Sequence, residues 1–337
     1  MDSIVKWSSK DRADLFREAA TQKGVVPGIV EKDFWVCWTL GKLFLSQAYH
    51  NQIILKGGTS LSKVFKLIDR FSEDIDLILH WDLITAEDPT RERSRTKQQR
   101  INDELNYAAQ NYLRESFLPE LERMLDAICI PWIDKTTPQT INIRYPASFN
   151  EEYLRPEILL EIGPLAAWSP NDEYEITSYA AEGFPDVFSN PTCKVRAIKA
   201  ERTFWEKATI LHHEAHRPEN SPIPDRYSRH YYDLRTMAGF PLKDQALADL
   251  DLLNDVVRFK DKFYYRKWAR YDLARPGTMK LLPTDRVQKE LRKDYLTMRN
   301  MFFGNPPSFE DIVDSIKTLE DEINLISPNL HQFEDQK

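Results

Sequence analysis

Glycine is scarce: only 10 of 337 residues. With few glycines and many helix formers, helix is expected to dominate, and any place where two glycines sit together needs a reason. Cysteine is scarcer. Cys37, Cys129 and Cys193 are odd in number and far apart, which argues against a disulfide framework and a Cys-rich zinc site. No window approaches 18 uninterrupted apolar residues, so no membrane-spanning helix is expected. The N-terminus MDSIVKWSSKDRADLF lacks the apolar core of a signal peptide, and a reducing cytoplasm is the simplest location. A surplus of positive charge is also missing. Asp and Glu number 53 against 46 Lys and Arg, a formal charge of −7, so nucleic acid binding would require a local basic patch.

What is present is ordinary for a globular protein: 42% hydrophobic and 29% charged residues, in a chain long enough for two compact units or one large one. The pattern predicts an α/β (α+β) part over residues 1–190, with N-terminal helices, and a mostly helical part over 191–337. Ser8 with Asp11 three residues on reads as a helix cap, and a second helix follows Pro27. NQIILK reads as a strand ending at Lys56, GGTS as a turn, and Leu61, Val64, Phe65 and Ile68 as one helical face. EDIDLIL alternates like a strand, as do TINIRYPA and RPEILLEIGPL; the stretch from Asp88 to Asp126 reads as polar and helical, and GFPDVFSNPT as a loop-rich bridge.

The stretch LKGGTSLSKVFKLIDRFSEDIDLIL, Leu55 to Leu79, carries the chemistry. Strand, Gly-Gly turn and helix is an arrangement that cradles phosphate, because glycine lets the backbone approach an anion and the helix start presents N–H groups. Thr59 and Ser60 add hydroxyl donors. Asp74 and Asp76, two apart on a strand, share a face and suit one or two divalent ions, Mg2+ or Mn2+. Two metals held this way stabilise the attacking and leaving oxygens in nucleotidyl transfer. A third carboxylate is expected on a neighbouring strand: Glu161, with Glu157 as its rival. Plain readings exist for each feature: a tight turn, solvated strand carboxylates, and for Arg70 a pair with Glu73 rather than neutralisation of transition-state charge.

The stretch LKGGTSL…RFSEDIDL closely resembles the signature of the AbiEii/AbiGii toxin family of nucleotidyltransferases, which includes the MenT toxins and belongs to the polymerase-β-like superfamily. Further motifs follow the family's order: EKDFW (Glu31 to Trp35), FWEKATIL with Glu206 and Lys207, RYSRHYYDLRTM with Arg226, Arg229, His230 and Asp233, and the tail LLPTDRVQKELRKDYLTMRNMFFG. The similarity runs from about Glu31 to Asn324. It implies a nucleotidyltransferase fold with a small mixed sheet flanked by helices and a helical C-terminal domain that contributes Lys207 and Asp233 to the site. It further implies NMP transfer from an NTP with loss of pyrophosphate. Gly57, Gly58, Thr59 and Ser60 would hold the triphosphate, with Lys56, Arg70 and Ser72 in the nucleotide-binding set. Asp74 and Asp76 would bind metal, Lys207 would contact triphosphate oxygens, and Asp233 would complete the site. Some members modify tRNA 3′ ends, and members are often encoded with an antitoxin. The expectation is therefore a toxin of a toxin–antitoxin or phage-defence pair whose partners are NTP, an RNA acceptor (tRNA above all) and a cognate antitoxin. Nucleotidylation of a protein or small molecule, and a non-catalytic module on the same fold, are the alternatives.

Other readings stay local. Taken alone, Lys207 fits an intrahelical pair with Thr203 or Glu214, and Asp233 fits the i+4 partner of Arg229. His212 and His216 have the i, i+4 spacing of zinc ligands but lack the His-Glu-x-x-His pattern. VVRFKDKFYYRKWARYDLARP interleaves basic and aromatic residues, which suits either an RNA-facing element or an amphipathic helix with its aromatics in the core. The run Arg91, Arg93, Arg95, Lys97 and Arg100 is a second basic candidate.

Overall fold

The computed structural model describes residues 1–151, 154, 155 and 157–327. Pro156, at the head of an expected strand, and residues 328–337 of the expected helical part lie outside them. The chain divides into two compact units: Met1–Lys199 with Asn300–Gly304, and Ala200–Arg299 with the residues from Asn305 onward.

The first unit is built on a seven-stranded sheet in the order β3-β4-β5-β2-β1-β7-β6. Its strands are β1 (Ile53–Lys56), β2 (Asp74–Leu79), β3 (Ile130–Ile133), β4 (Thr140–Arg144), β5 (Glu157–Gly163), β6 (Asn171–Thr177) and β7 (Thr192–Ile198). The β2–β5 and β1–β7 pairs are parallel and the others antiparallel. The period-2 pattern of β2 sorts its side chains as expected. Ile75, Leu77 and Leu79 join the main core with Ile53, Leu55, Ile158, Leu160 and Ile162. On the opposite face Ile54, Ile78 and Ile198 form a small apolar cluster against Ala166 and Trp168, and the same face carries Asp74 and Asp76. Strands β3, β6 and β7 are additional to the sequence expectation, and β7 carries the first unit past residue 190.

Helix α1 (Ser9–Lys23) starts where the cap predicts: the Asp11 amide donates to Ser8 Oγ at 3.1 Å, and Gly24, at φ 71°, ends it. Helix α2 (Pro27–Leu45) has Pro at its first position and is buried almost all round, Phe34, Trp35, Leu40 and Leu43 among its interior residues. Helices α3 (Arg95–Tyr112) and α4 (Leu118–Leu125) are joined by a π-helical turn, and Leu113, Phe117, Leu121 and Leu125, each four residues apart, pack into the main core. The expected GGTS turn is helical instead: Gly57–Thr59 makes one α-turn that widens into a π-helical turn over Ser60–Val64. Lys66, at φ 53°, ends it, so Ile68 is buried outside the helix that its spacing predicted. The segment Asn300–Gly304 pairs with the backbone just before β2: Phe71 N–H donates to Met301 O at 2.7 Å and Phe303 N–H to Asp69 O at 2.9 Å.

The second unit is helical. Its longer helices are α5 (Ala200–Ala215), α6 (Ser228–Met237), α7 (Leu250–Phe263), α8 (Asp285–Thr297) and α9 (Phe309–Leu325). Helix α5 buries Phe204, Trp205, Ala208 and Leu211. Helix α9 opens on a Ser308–Asp311 capping box and buries Ile312, Ile316, Leu319 and Ile323 along one stripe. Among the described residues no helix is long and apolar enough to cross a membrane.

Candidate active site

The glycine pair and the two aspartates meet because β1 and β2 are antiparallel neighbours with Lys56 opposite Asp76. The chain leaves β1 at Lys56 and turns sharply at Gly57, whose φ is +73°. A Cβ built on Gly57 would lie 2.0 Å from Asp76 Oδ2, and one built on Gly58 would lie 2.6 Å from Ser72 Oγ and 2.9 Å from an Arg70 guanidinium nitrogen. Gly57 is favoured by both its left-handed backbone and its close approach to a carboxylate, while Gly58 leaves room for a hydroxyl and a cation. Thr59 Oγ1 donates to the Asp74 carbonyl, fastening the turn to β2, and Ser60 Oγ donates to the Gly57 carbonyl at 2.9 Å. Thr59 and Ser60, expected as hydroxyl donors to phosphate, turn those hydroxyls inward and are buried. What they contribute at the turn is shape and backbone amides.

Asp74 and Asp76 lie on one face of β2 and are half-buried. Lys56 Nζ stands 3.7 Å from Asp76 Oδ1. Across the parallel pair with β5, Glu161 is directly beside Asp76 and Leu159 beside Asp74, so Lys56, Asp76 and Glu161 form one cross-strand row. Glu161 is exposed, while its rival Glu157 lies beyond the end of β2, opposite Arg144. Among the described residues no three His, Cys, Asp or Glu side chains converge into a ready-made metal cage. The donor set fits Mg2+ nonetheless, since that ion favours one or two carboxylates and completes its shell with water and substrate phosphates.

Helix α2 carries a charged triplet with roles the sequence does not assign. Glu31, Lys32 and Asp33 are all buried in α2. Glu31 accepts from the Ser148 and Phe149 amides at 2.7 and 3.1 Å, although burial still raises its pKa. Asp33 accepts from the Tyr179 amide and pairs with Lys63 at 2.6 Å. Burial works against the Lys63 ammonium, but Asp33 outweighs it and holds the lysine charged. Lys32 Nζ donates to the Arg155 carbonyl at 3.0 Å. Burial lowers its pKa, opposed chiefly by the negative fields of Glu73 and Asp74. Lys32 is thus a buried amine within the fields of Glu73 and Asp74, at the start of β2. The signal was in the sequence as EKD inside an apolar helix, but its partners lie in distant segments.

In the second unit Lys207 of α5 donates to Asp233 Oδ2 of α6 at 2.7 Å, and its Nζ lies 3.3 Å from His230 Nδ1. Both members are buried, with side-chain exposures of 8% and 0%. Lys207 therefore reaches a neighbouring helix, and it is an ion-pair partner of Asp233. His212 has both ring nitrogens engaged by backbone: Nε2 lies 2.9 Å from the Arg270 carbonyl, and the Lys280 amide donates to Nδ1 at 3.1 Å. That leaves no lone pair for zinc. Of the basic run near residue 95, Arg93 has its side chain folded against the Pro89, Asp88 and Arg91 carbonyls and Glu87, as a loop anchor.

A family model described as nucleotidyl transferase AbiEii toxin, type IV toxin–antitoxin system, matches residues 39–315. No curated protein matches the chain by sequence. Among solved structures, MenT4, a nucleotidyltransferase toxin from Mycobacterium tuberculosis, is similar in fold with a TM-score of 0.50 at 14% identity, covering 94% of this chain and 90% of that one. The glycine turn, the same-face aspartates and the family match over most of the length lead to one conclusion: the chain belongs to the AbiEii family of nucleotidyltransferase toxins of type IV toxin–antitoxin systems.

Proposed function

We propose that the chain transfers a nucleoside monophosphate from an NTP to an RNA acceptor, the 3′ end of tRNA above all, in a Mg2+-dependent reaction (Mn2+ substituting), and that a cognate antitoxin restrains it in the cytoplasm. The observation that carries this reading is the packing of Asp76 onto Gly57, which sets a carboxylate face against a backbone turn with no side chain between them. Amides of that turn, with Lys56 and Arg70, supply positive charge to a triphosphate. Asp74 and Asp76 would hold the metal, with Glu161 adjoining; bound Mg2+ would neutralise charge on the attacking and leaving oxygens. The acceptor hydroxyl attacks the α-phosphorus, the bond to the β-phosphate oxygen breaks, and pyrophosphate leaves. Ser72, against Gly58, shapes the edge of the cradle. Lys207 and Asp233 are assigned to the same chemistry on their motif, Lys207 as a cation for triphosphate oxygens and Asp233 as the group that orients it.

The test is incubation of the purified protein with each α-labelled NTP and Mg2+, offering total RNA, deacylated tRNA and total protein in parallel. Label in RNA that has lengthened supports the reading. Label confined to protein or a small molecule removes the RNA acceptor, and RNA that shortens replaces transfer with hydrolysis.

A further inference from the structure

The aromatic and basic residues around the end of α7 divide into two populations. Phe259 stacks on Phe263 with centroids 4.4 Å apart, Trp268 lies 4.4 Å from His213, and Tyr271 is buried. These rings serve the interior of the second unit. Tyr264 and Tyr265 present more of themselves to solvent: they are 48% and 41% exposed, and Arg266 and Lys267, which follow, are exposed as well. The four residues are anchored on both sides. Phe263 before them is buried, the Tyr264 amide closes α7 on the Lys260 carbonyl at 2.9 Å, and beyond them Ala269 is wholly buried. Trp268 is held between His213 and the Arg217 guanidinium, which lies 5.2 Å from its ring centroid. Arg270, at φ 49°, is tied to Asp272 through two nitrogens. The tetrad is a fixed protrusion between two buried points.

Charge picks out the same place. From Arg258 to Arg270 there are six basic residues and one acidic, Asp261, in a chain whose formal charge is −7. An acidic peptide would use the cations but gives no reason for two adjacent exposed rings. Unpaired bases use both, since each base offers a face for stacking and each nucleotide a phosphate. We infer that Tyr264, Tyr265, Arg266 and Lys267 form a platform for single-stranded nucleic acid, the tyrosines stacking on unpaired bases and the two cations neutralising phosphates. That the bound strand is also the NMP acceptor rests on the function proposed above; the binding itself does not.

The test uses the full chain without NTP and measures fluorescence anisotropy with a labelled 12-nucleotide single-stranded RNA of mixed sequence and a duplex of equal length. The platform predicts tighter binding of the single strand. Tyr264→Ala/Tyr265→Ala weakens that binding by roughly tenfold or more and leaves the salt dependence unchanged. Arg266→Gln/Lys267→Gln lowers the slope of log K against log salt by about 1.4, or 0.7 per lost phosphate contact. Thermal unfolding of both variants stays with the wild type, because the substituted side chains are exposed. The inference is overturned if the double tyrosine variant binds the single strand as tightly as the wild type, if single strand and duplex lose affinity equally, or if RNA binding survives while capture of an acidic protein partner is lost. Asp74→Ala separates this inference from the proposed function. A chain that binds RNA through the tyrosines but labels none in the transfer assay keeps the platform and loses the acceptor. Transfer to RNA that ignores the tyrosines does the reverse.

Discussion

Gly57→Ala puts the geometry of the site to a quantitative test. The substitution has two consequences that a control separates. First, alanine at φ +73° sits in the left-handed region, which costs roughly 1–2 kcal/mol for a side chain bearing Cβ. Second, the new Cβ would lie 2.0 Å from Asp76 Oδ2, whereas ordinary contact begins at 3.4 Å, so the carboxylate must retreat by roughly 1.4 Å, and a misplacement of that order costs about 100-fold in rate. Gly24→Ala carries the first consequence alone: its φ is +71° and nothing lies within 4 Å of the added atom. Both variants should lose a few degrees of thermal stability. Only Gly57→Ala should lose NMP incorporation, by about two orders of magnitude under saturating NTP. The assay is incorporation of labelled NMP over a metal titration, with unfolding followed on the same samples. Full incorporation by Gly57→Ala, or an equal loss in Gly24→Ala, would refute the claim that the glycine is there to admit Asp76.

Three further outcomes follow from the same structure. Gly58→Ala, whose Cβ would meet Ser72 Oγ at 2.6 Å and the Arg70 guanidinium at 2.9 Å, should raise the KM for NTP more than it lowers kcat, because it crowds the cradle rather than the carboxylates; steady-state kinetics check this. Lys207→Met leaves Asp233 buried without that cation and should cost about 3–5 kcal/mol in denaturant unfolding, whereas Lys207→Met/Asp233→Leu should recover most of that stability and still incorporate no NMP. Recovery of activity along with stability would reduce the pair to a structural role. His212 is held neutral: burial, foremost, pushes its pKa down to about 4 from an unfolded value of about 6.5. The unfolded chain therefore binds the extra proton first, and stability present above pH 6.5 is lost as pH falls toward 4, by roughly 3 kcal/mol in full. His212→Asn should flatten this part of the stability–pH curve relative to wild type, and a curve of unchanged slope would contradict it.

How much of this was legible in the sequence depended on where each residue finds its partners. Strand β2 could be read because Ile75, Leu77 and Leu79 alternate with Asp74 and Asp76, a period the strand imposes by itself. The cap at Ser8 and the start at Pro27 are equally local. Strand β6 was not legible, because it is an edge strand burying only Ile176 of its seven residues, three of which are acidic and so disfavoured in a strand. Strand β3 carries Pro131 and an exposed Ile130 at the other edge, which likewise speaks against a strand in sequence. The inward hydroxyls of Thr59 and Ser60 depend on a widened π-helical turn that no spacing predicts. Glu31, Lys32 and Asp33 meet Ser148, Arg155 and Lys63, and Lys207 meets Asp233 one helix away; such pairings belong to the tertiary fold. The interleaved run near residue 265 could be read either way until burial divided its rings between interior and surface.

The central claim is that Asp74 and Asp76 together hold a divalent ion against a nucleotide seated on the Gly57–Gly58 turn. Anomalous diffraction from crystals soaked with Mn2+ and a non-hydrolysable NTP tests it most directly. The account predicts a Mn2+ peak within coordination distance of both carboxylates, with phosphate oxygens completing the shell, and no such peak in Asp74→Ala crystals. Mn2+ and nucleotide bound elsewhere, with both aspartates free of metal, would contradict it.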